Sequence, residues 1–222
     1  MKSIYKIAII SVYLSNAIFA SMADEPLLTK VTFNQLEYQT KREKTFSWDS
    51  SIWMGYDIKK VYIYSEGEKI KNGETESQNQ LLFSYAIAPY WDIQTGLGYD
   101  TTKDHGKGWA IVAINGLAPY FFETQAALLL SEDGNVGLRA GFEYEALITQ
   151  KLILTPSVEA DLYTKEDSKM SYSKGLSNIS ASLRLRYEIK REFAPYIGIE
   201  WNKNKFNTTD ESYFTIGARI WF

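Results

Sequence analysis

The carboxyl-terminal stretch Ser212–Phe222, SYFTIGARIWF, alternates its side chains so regularly that it decides the fold class. In an extended chain, successive side chains point to opposite faces. One face therefore carries only apolar side chains, those of Phe214, Ile216, Ala218, Ile220 and Phe222. The opposite face carries Tyr213, Thr215, Gly217, Arg219 and Trp221. A strand of this kind separates an apolar environment from a polar one.

This division of faces is typical of strands in outer-membrane barrels, where lipid-facing apolar residues alternate with lumen-facing polar ones. A strand of a soluble sandwich can alternate too, so a soluble all-β fold is the alternative at this point. Terminal Phe222 adds to the first interpretation, because an aromatic last residue is typical of such barrels. We therefore predict that Phe222 is a C-terminal assembly signal, read by the barrel assembly machinery.

The composition favours a barrel over a helical membrane protein. After residue 20 no apolar run approaches the ~18 residues that a membrane-spanning helix needs. Aromatic residues nevertheless make up 15% of the chain, with sixteen Tyr and six Trp, and aromatic girdles are a feature of barrels in lipid. The chain has no Cys, which excludes disulfides and thiolate ligands. Its net charge of -3 gives no reason to expect a nucleic-acid partner.

The amino-terminal segment has the layout of a secretory signal. Two lysines precede the apolar run Ile7–Phe19, and small residues follow it. We expect a signal peptide over residues 1–23, and hence an exported protein. A short periplasmic segment, 24–30, is then expected to lead into a barrel over 31–222, in the outer membrane of a Gram-negative bacterium.

Short and long connections alternate between the predicted strands. The short ones fall at 58–59, 88–90, 118–120, 147–150 and 190–193, and the longer polar ones at 40–44, 68–77, 101–107, 131–135, 164–174 and 202–210. Outer-membrane barrels place short turns in the periplasm and longer loops outside, whereas a soluble sandwich has no reason to sort its loops. The alternation therefore favours a transmembrane antiparallel up-and-down β-barrel.

Parity sets the number of strands. Counting back from Phe222 gives about twelve strands if the weakly alternating stretch Val31–Gln39 is included, and an odd number if it is not. Bacterial single-chain barrels are even-numbered. The sequence therefore predicts an all-β barrel of about 12 strands with both of its ends in the periplasm.

Charges in mid-strand identify the face that points into the barrel. Along Ile179–Ile189 the charged residues Arg184, Arg186 and Glu188 share one face, opposite a face of Ala, Leu and Tyr. On the lipid side each charge would cost ~2 to 4 kcal/mol at mid-bilayer, so these side chains are expected in the lumen. The same parity predicts a lumen charge network of Arg139, Glu143, Glu145, Glu159, Asp161, Arg184, Arg186, Glu188, Glu200 and Arg219, and it also turns Asp92, Asp100 and Glu123 inward.

Two cross-strand ion pairs are expected within this network. If the hairpins keep the inward sets in step, Arg139 lies opposite Glu159 and Arg184 lies opposite Glu200. Inward carboxylates still outnumber the inward guanidinium groups. This acidic excess has two interpretations, a solvated wall or a cation-selective path.

Residues for catalysis or tight metal binding are scarce. His105 is the only histidine, and it falls in a loop of Lys, Asp and Gly, so one chain cannot build a multi-histidine metal site. Glu143 and Glu145 lie two apart on one strand, which would suit acid–base chemistry only beside a bound substrate. We therefore do not expect an enzyme.

Five blocks of the sequence, in this order, resemble one family. They are Trp48–Glu68, Leu81–Asp100, Gly116–Gly134, Tyr144–Asp167 and Gly175–Trp201. They are similar to the outer-membrane copper resistance protein B family, and the resemblance runs from about Val31 to Phe222. It implies an outer-membrane barrel with a role in copper tolerance of Gram-negative bacteria. It also leaves open a partnership with a periplasmic multicopper oxidase.

Copper ligands are sparse in this sequence. Thioethers and imidazoles suit copper, and family members usually carry a Met- and His-rich segment before the barrel, which is not seen here. The weak candidates are Met22, His105 and Met170, since Met54 is expected to face lipid. We therefore expect weak copper binding at most. The two functions in view are a barrel that handles or passes copper, and a narrow cation-selective pore or structural barrel without specific copper binding.

Overall fold

Strands follow one another along almost the whole described chain in the computed structural model, which describes residues 26–41, 45–70, 73 and 75–222. Within these residues we number twelve strands: β1 (Leu28–Gln39), β2 (Thr45–Gly55), β3 (Lys59–Ile70), β4 (Thr75–Ala88), β5 (Trp91–Thr101), β6 (Gly106–Ala118), β7 (Phe122–Leu130), β8 (Val136–Tyr144, resumed as Ala146–Leu147), β9 (Leu152–Tyr163), β10 (Gly175–Tyr187), β11 (Phe193–Asn204) and β12 (Thr209–Trp221). The helical content of these residues is a single 3₁₀ turn, Pro119–Phe121.

Each strand pairs antiparallel with the next, and the last strand returns to the first. β12 pairs with β1 in a register that sets Gly217 against Glu37, so the sheet closes on itself. This confirms the predicted antiparallel up-and-down barrel of about twelve strands. β1 begins at Leu28, three residues before the predicted strand start at Val31. No helix among the described residues is long and apolar enough to cross a membrane.

Alternation along each strand separates a lipid face from an interior face. On β4, Leu81 is 54% exposed and its neighbour Leu82 is fully buried, and the same switch repeats at Phe83 and Ser84. The outward side chains are apolar because they meet hydrocarbon in the membrane. Met54 follows this rule on β2, where it is half exposed on the outer surface, as predicted.

The barrel has two unlike ends. The start of β1, the end of β12 and the turns at 56–58, 89–90, 119–121, 148–151 and 188–192 lie at one end, which is the periplasmic end in barrels of this class. At the outer end three of the expected longer connections, 68–77, 101–107 and 202–210, are shorter than predicted, because the strands continue into them. The expected loop 68–77 is the clearest correction, since β3 runs to Ile70, β4 begins at Thr75, and Glu68 pairs with Glu76. The connections 131–135 and 164–174 keep their expected bounds.

One side of the interior is apolar, which the sequence did not predict. Inward side chains of β4 to β9 form a buried cluster of Leu82, Trp109, Ile111, Ala113, Ala127, Leu129 and Tyr163. Around this cluster β6 and β7 carry apolar residues on both faces, so their alternation marks no polar side. The cluster fills its part of the barrel like a packed core. The remaining cavity is lined by residues of this side and of the opposite wall.

Candidate functional site: the lumen and its outer mouth

A buried arginine organises the wall opposite the apolar cluster. Arg184 of β10 donates from Nε to Glu37 at 3.2 Å and from Nη2 to Glu200 at 3.0 Å. Glu37 is fully buried, and it also accepts a hydrogen bond of 3.0 Å from the Tyr196 hydroxyl. Two carboxylates and one guanidinium leave this cluster with a net negative charge. Buried charges of this kind persist only when they are paired and hydrogen-bonded.

The pairing of Arg184 with Glu200 differs in register from the prediction. Arg184 lies directly opposite Gly198, and Glu200 lies opposite Ser182, so the ion pair forms diagonally. Gly198 makes this possible, because a β-carbon there would come within 2.9 Å of the Arg184 side chain. The glycine thus leaves room for the guanidinium to cross the strand.

A second arginine cluster lies near the outer end, and here the predicted partner was wrong. Arg139 of β8 lies opposite Asp161, whereas Glu159 lies opposite Gly141. The guanidinium instead reaches across to Asp100 of β5 at 2.6 Å. The register between β8 and β9 thus differs from the predicted one by two residues, because Arg139 lies opposite Asp161 and not opposite Glu159. The turn at 148–151 sets this register.

A third cluster closes the charge network at the periplasmic end. Arg186 and Arg219 both donate to Oε1 of Glu145, at 2.8 and 2.6 Å. Glu188 lies 4.0 Å from Arg186. Glu143, the remaining member, faces Glu123 directly across β7 and β8. Like charges directly opposite each other destabilise a sheet, so this carboxylate pair does not serve the sheet's own stability.

Several inward carboxylates have no cationic partner. Among the described residues, those outside any ion pair are Asp49, Glu66, Glu123, Glu143, Glu159 and Asp161. Glu66 of β3 and Glu159 of β9 stand on opposite sides of the lumen, close enough for their charges to interact, and both are solvent-exposed. They line a cavity of about 910 Å³ together with Gln125. The open space in the barrel is therefore lined by carboxyl groups that have no cationic partner.

The long connection 164–174, which we call the mouth loop, folds back into the outer opening. Met170 at its centre is 4% exposed, and Met170, Ser171 and Tyr172 line the same cavity. The Tyr172 ring stacks on Tyr163 with ring centroids 4.1 Å apart. Its hydroxyl donates to Asp100 at 2.7 Å. The loop that we expected outside the barrel therefore covers the mouth from within.

A lysine on the barrel wall holds the same loop electrostatically. Lys107 donates to Asp167 of the mouth loop at 2.7 Å and to Asp133 of the 131–135 connection at 2.9 Å. Burial acts to raise the pKa of Asp167, but the hydrogen bond and charge of Lys107 outweigh it and hold that pKa below 3.8. The pKa of Asp133 is lowered by hydrogen bonds from Ser131 and then from Lys107. Both carboxylates are therefore charged at neutral pH.

The weak copper candidates do not converge. His105 is exposed in the connection 102–105, whereas Met170 is buried at the centre of the mouth loop. Met22 and the predicted signal peptide lie outside the described residues. Within the described part of the chain, no group of three or more His, Cys, Asp or Glu side chains is placed to hold a metal ion.

Sequence reasoning missed three residues that matter for this site. Glu37 lay in the weakly alternating first strand, Lys107 lay in an expected loop, and Tyr172 lay in the mouth loop. Alternation gave no signal for any of them, because each contacts partners far away in the chain. Asp100 and Asp104 are the carboxylates near Lys107 in the sequence, but its partners in the structure are Asp133 and Asp167.

Comparison with known proteins agrees with the barrel. A family model described as copper resistance protein B precursor matches residues 27–222. Copper resistance protein B of Escherichia coli is 41% identical over 204 residues, covering 86% of this chain and 69% of that protein. A copper resistance protein B homolog of Pseudomonas syringae pv. tomato is 32% identical over 200 residues, covering 85% and 68%.

Solved structures agree on the fold at low sequence identity. The KdgM porin matches with a TM-score of 0.57 and 10% identity, covering 87% of this chain and 99% of that one. The NanC porin matches with a TM-score of 0.57 and 11% identity over the same shares. At this identity the likeness concerns the fold alone. Family and fold together place the protein in the outer membrane, and the chain belongs to the copper resistance protein B family.

Proposed function

We propose that the barrel passes copper ions, as cations, through a negatively charged lumen. The observation that carries the proposal is the set of unpaired carboxylates around the cavity, above all Glu66 and Glu159 facing each other across it. A pore must attract its ion well enough for entry and weakly enough for release. Carboxylates are hard ligands that hold Cu(II) loosely and Cu(I) poorly. Copper is thus the cargo of this path and not a resident cofactor.

Two other functions are compatible with this fold and family. The first is a narrow cation-selective pore or structural barrel without copper specificity, which the absence of a metal-holding group among the described residues favours. The second is recruitment of a periplasmic multicopper oxidase, suggested by the family. The surface for it is the set of periplasmic turns, where Tyr90 and Tyr120 are 77% and 84% exposed.

A complementation experiment distinguishes these functions. A strain lacking this gene is supplied with the wild-type protein, with Glu66→Gln/Glu159→Gln, or with the control Glu132→Gln, an exposed residue of the 131–135 connection. We expect the double variant to restore less than half of the copper tolerance and the control to restore all of it. Equal assembly is checked by heat-dependent gel mobility. Full rescue by the double variant contradicts copper passage. In that case the variant Tyr90→Ser/Tyr120→Ser is supplied as well, and its failure to restore copper tolerance indicates recruitment of a partner.

A further inference from the structure

Two attachments of the mouth loop, those made by Tyr172 and Asp167, have a common design. Asp100, which is 2% exposed, accepts three hydrogen bonds on Oδ2, from Trp109 at 2.6 Å, Arg139 at 2.6 Å and Tyr172 at 2.7 Å. Trp109 and Arg139 belong to the wall, and only Tyr172 belongs to the loop. If the loop departs, Asp100 therefore keeps an ion pair and a hydrogen bond.

The lysine attachment repeats this arrangement. Lys107 pairs at the same time with Asp167 of the mouth loop and with Asp133 of the neighbouring 131–135 connection. Departure of Asp167 leaves the ammonium paired with Asp133. Likewise Tyr163, the stacking partner of Tyr172, keeps its contacts with Arg139 at 3.1 and 2.9 Å. Breaking a buried ion pair is costly because it leaves a charge without a partner. Asp100, Lys107 and Tyr163 each keep a partner when the loop leaves, so none of them incurs this cost.

The backbone supplies a pivot beside the attachments. Gly175, where the mouth loop joins β10, has φ +82 with nothing within 4 Å of the position of a β-carbon. Ser171, at the inner tip, has φ 58, a left-handed conformation that is rare for serine. Residues held in sparsely populated backbone regions concentrate at switch segments and ligand clamps. The loop thus combines a free hinge with a strained tip.

We propose that the mouth loop, residues 164–174, is a lid that swings out of the outer opening about Gly175 and controls access to the lumen. In the closed state Met170 and Tyr172 occupy the mouth above the cavity. In the open state the wall keeps its own pairs, and the loop exchanges its contacts for water. The nature of the cargo rests on the proposed function, but the motion of the lid does not.

Chemical labelling tests the lid directly, because the chain has no Cys. Gln125→Cys places one thiol in the wall of the cavity, where the native side chain is exposed. Intact cells are treated with a sulfonated maleimide too large for general porins, and the labelling rate is measured. The same thiol is then placed in a barrel that also carries Tyr172→Ala and Asp167→Asn. We expect labelling to become about tenfold faster, which corresponds to a decrease of about 1.4 kcal/mol in the free energy that favours the closed lid.

Two controls separate lid opening from other effects. Asp210→Asn removes an exposed ion pair with Lys203 at the same end of the barrel, 3.3 Å in length, and is expected to leave the rate unchanged. Glu132→Cys labels outside the lid and is expected to react at one rate in every background. Assembly is checked by heat-dependent gel mobility, and Tyr172→Phe/Asp167→Asn replaces the first variant if that variant does not assemble.

The labelling rates decide for or against the lid, and no copper is used in the measurement. An unchanged rate in assembled lid variants would show that the loop does not close the path, and the lid would be rejected. Rapid labelling of Gln125→Cys in the otherwise native barrel would reject it too. A positive labelling result together with full copper rescue by Glu66→Gln/Glu159→Gln would leave the lid standing and remove only its proposed cargo.

Discussion

At the scale of single residues, the sequence predicted the inward face of Arg139 and Arg184, but of their two predicted ion pairs only Arg184 with Glu200 forms. Parity places Arg184 and Arg139 in the lumen because their strands alternate. Their partners depend on how far each strand is displaced relative to the others when the sheet closes. Arg184 and Glu37 are 147 residues apart in the chain and meet only in the closed barrel. No local pattern contains that information.

The Arg184 cluster gives a prediction at this scale. Arg184→Ala leaves the fully buried Glu37 carboxylate without its cation, so we expect the free energy of unfolding to fall by about 3–5 kcal/mol. Urea unfolding from lipid vesicles, followed by tryptophan fluorescence, measures it. Lys203→Ala, which breaks an exposed pair with Asp210, is the matched control and should change the midpoint little. Equal effects of the two substitutions would contradict the burial of this charge cluster.

At the scale of elements, strands were predictable inside the membrane and less so beyond it. Lipid on one side and lumen on the other impose a period of two. Past the outer interface both faces meet water, so residues such as Glu68 and Glu76 pair in a ladder that has no apolar face. This is why segments that look like polar loops are strand ends. The mouth loop was predicted as a loop, but its inward fold depends on contacts with Asp100 and Lys107.

The face assignment is tested by adjacent residues of β4. Gln80 lines the cavity and Leu81 is 54% exposed on the outer surface. We expect Leu81→Arg to lower barrel stability by about 2–4 kcal/mol, the cost of Arg near the bilayer midplane. Gln80→Arg should assemble normally in the acidic lumen. The fraction of heat-modifiable barrel recovered from membranes measures both variants, and the reverse order would mean that a one-residue slip exchanges the two faces.

At the scale of the whole molecule, strand number and closure followed from parity, whereas the shape of the lumen did not. The weak first strand is required for an even count, and β1 indeed closes the sheet against β12. The interior is asymmetric because Leu82, Ile111 and Leu129 point inward and pack in one cluster. The remaining cavity is lined from both sides of the barrel, by Glu66 of β3 and by Glu159 of β9.

Ion selectivity in planar bilayers shows whether the unpaired carboxylates of the lumen make the barrel prefer cations. The barrel, with the lid weakened by Tyr172→Ala/Asp167→Asn, is placed across a tenfold gradient of KCl, and the reversal potential is read. We predict a potential of the sign for cation selectivity, reduced at least by half in Glu66→Gln/Glu159→Gln because these two groups face each other across the cavity. A reversal potential near zero, or one of the sign for anion selectivity, would contradict cation selectivity through these carboxylates.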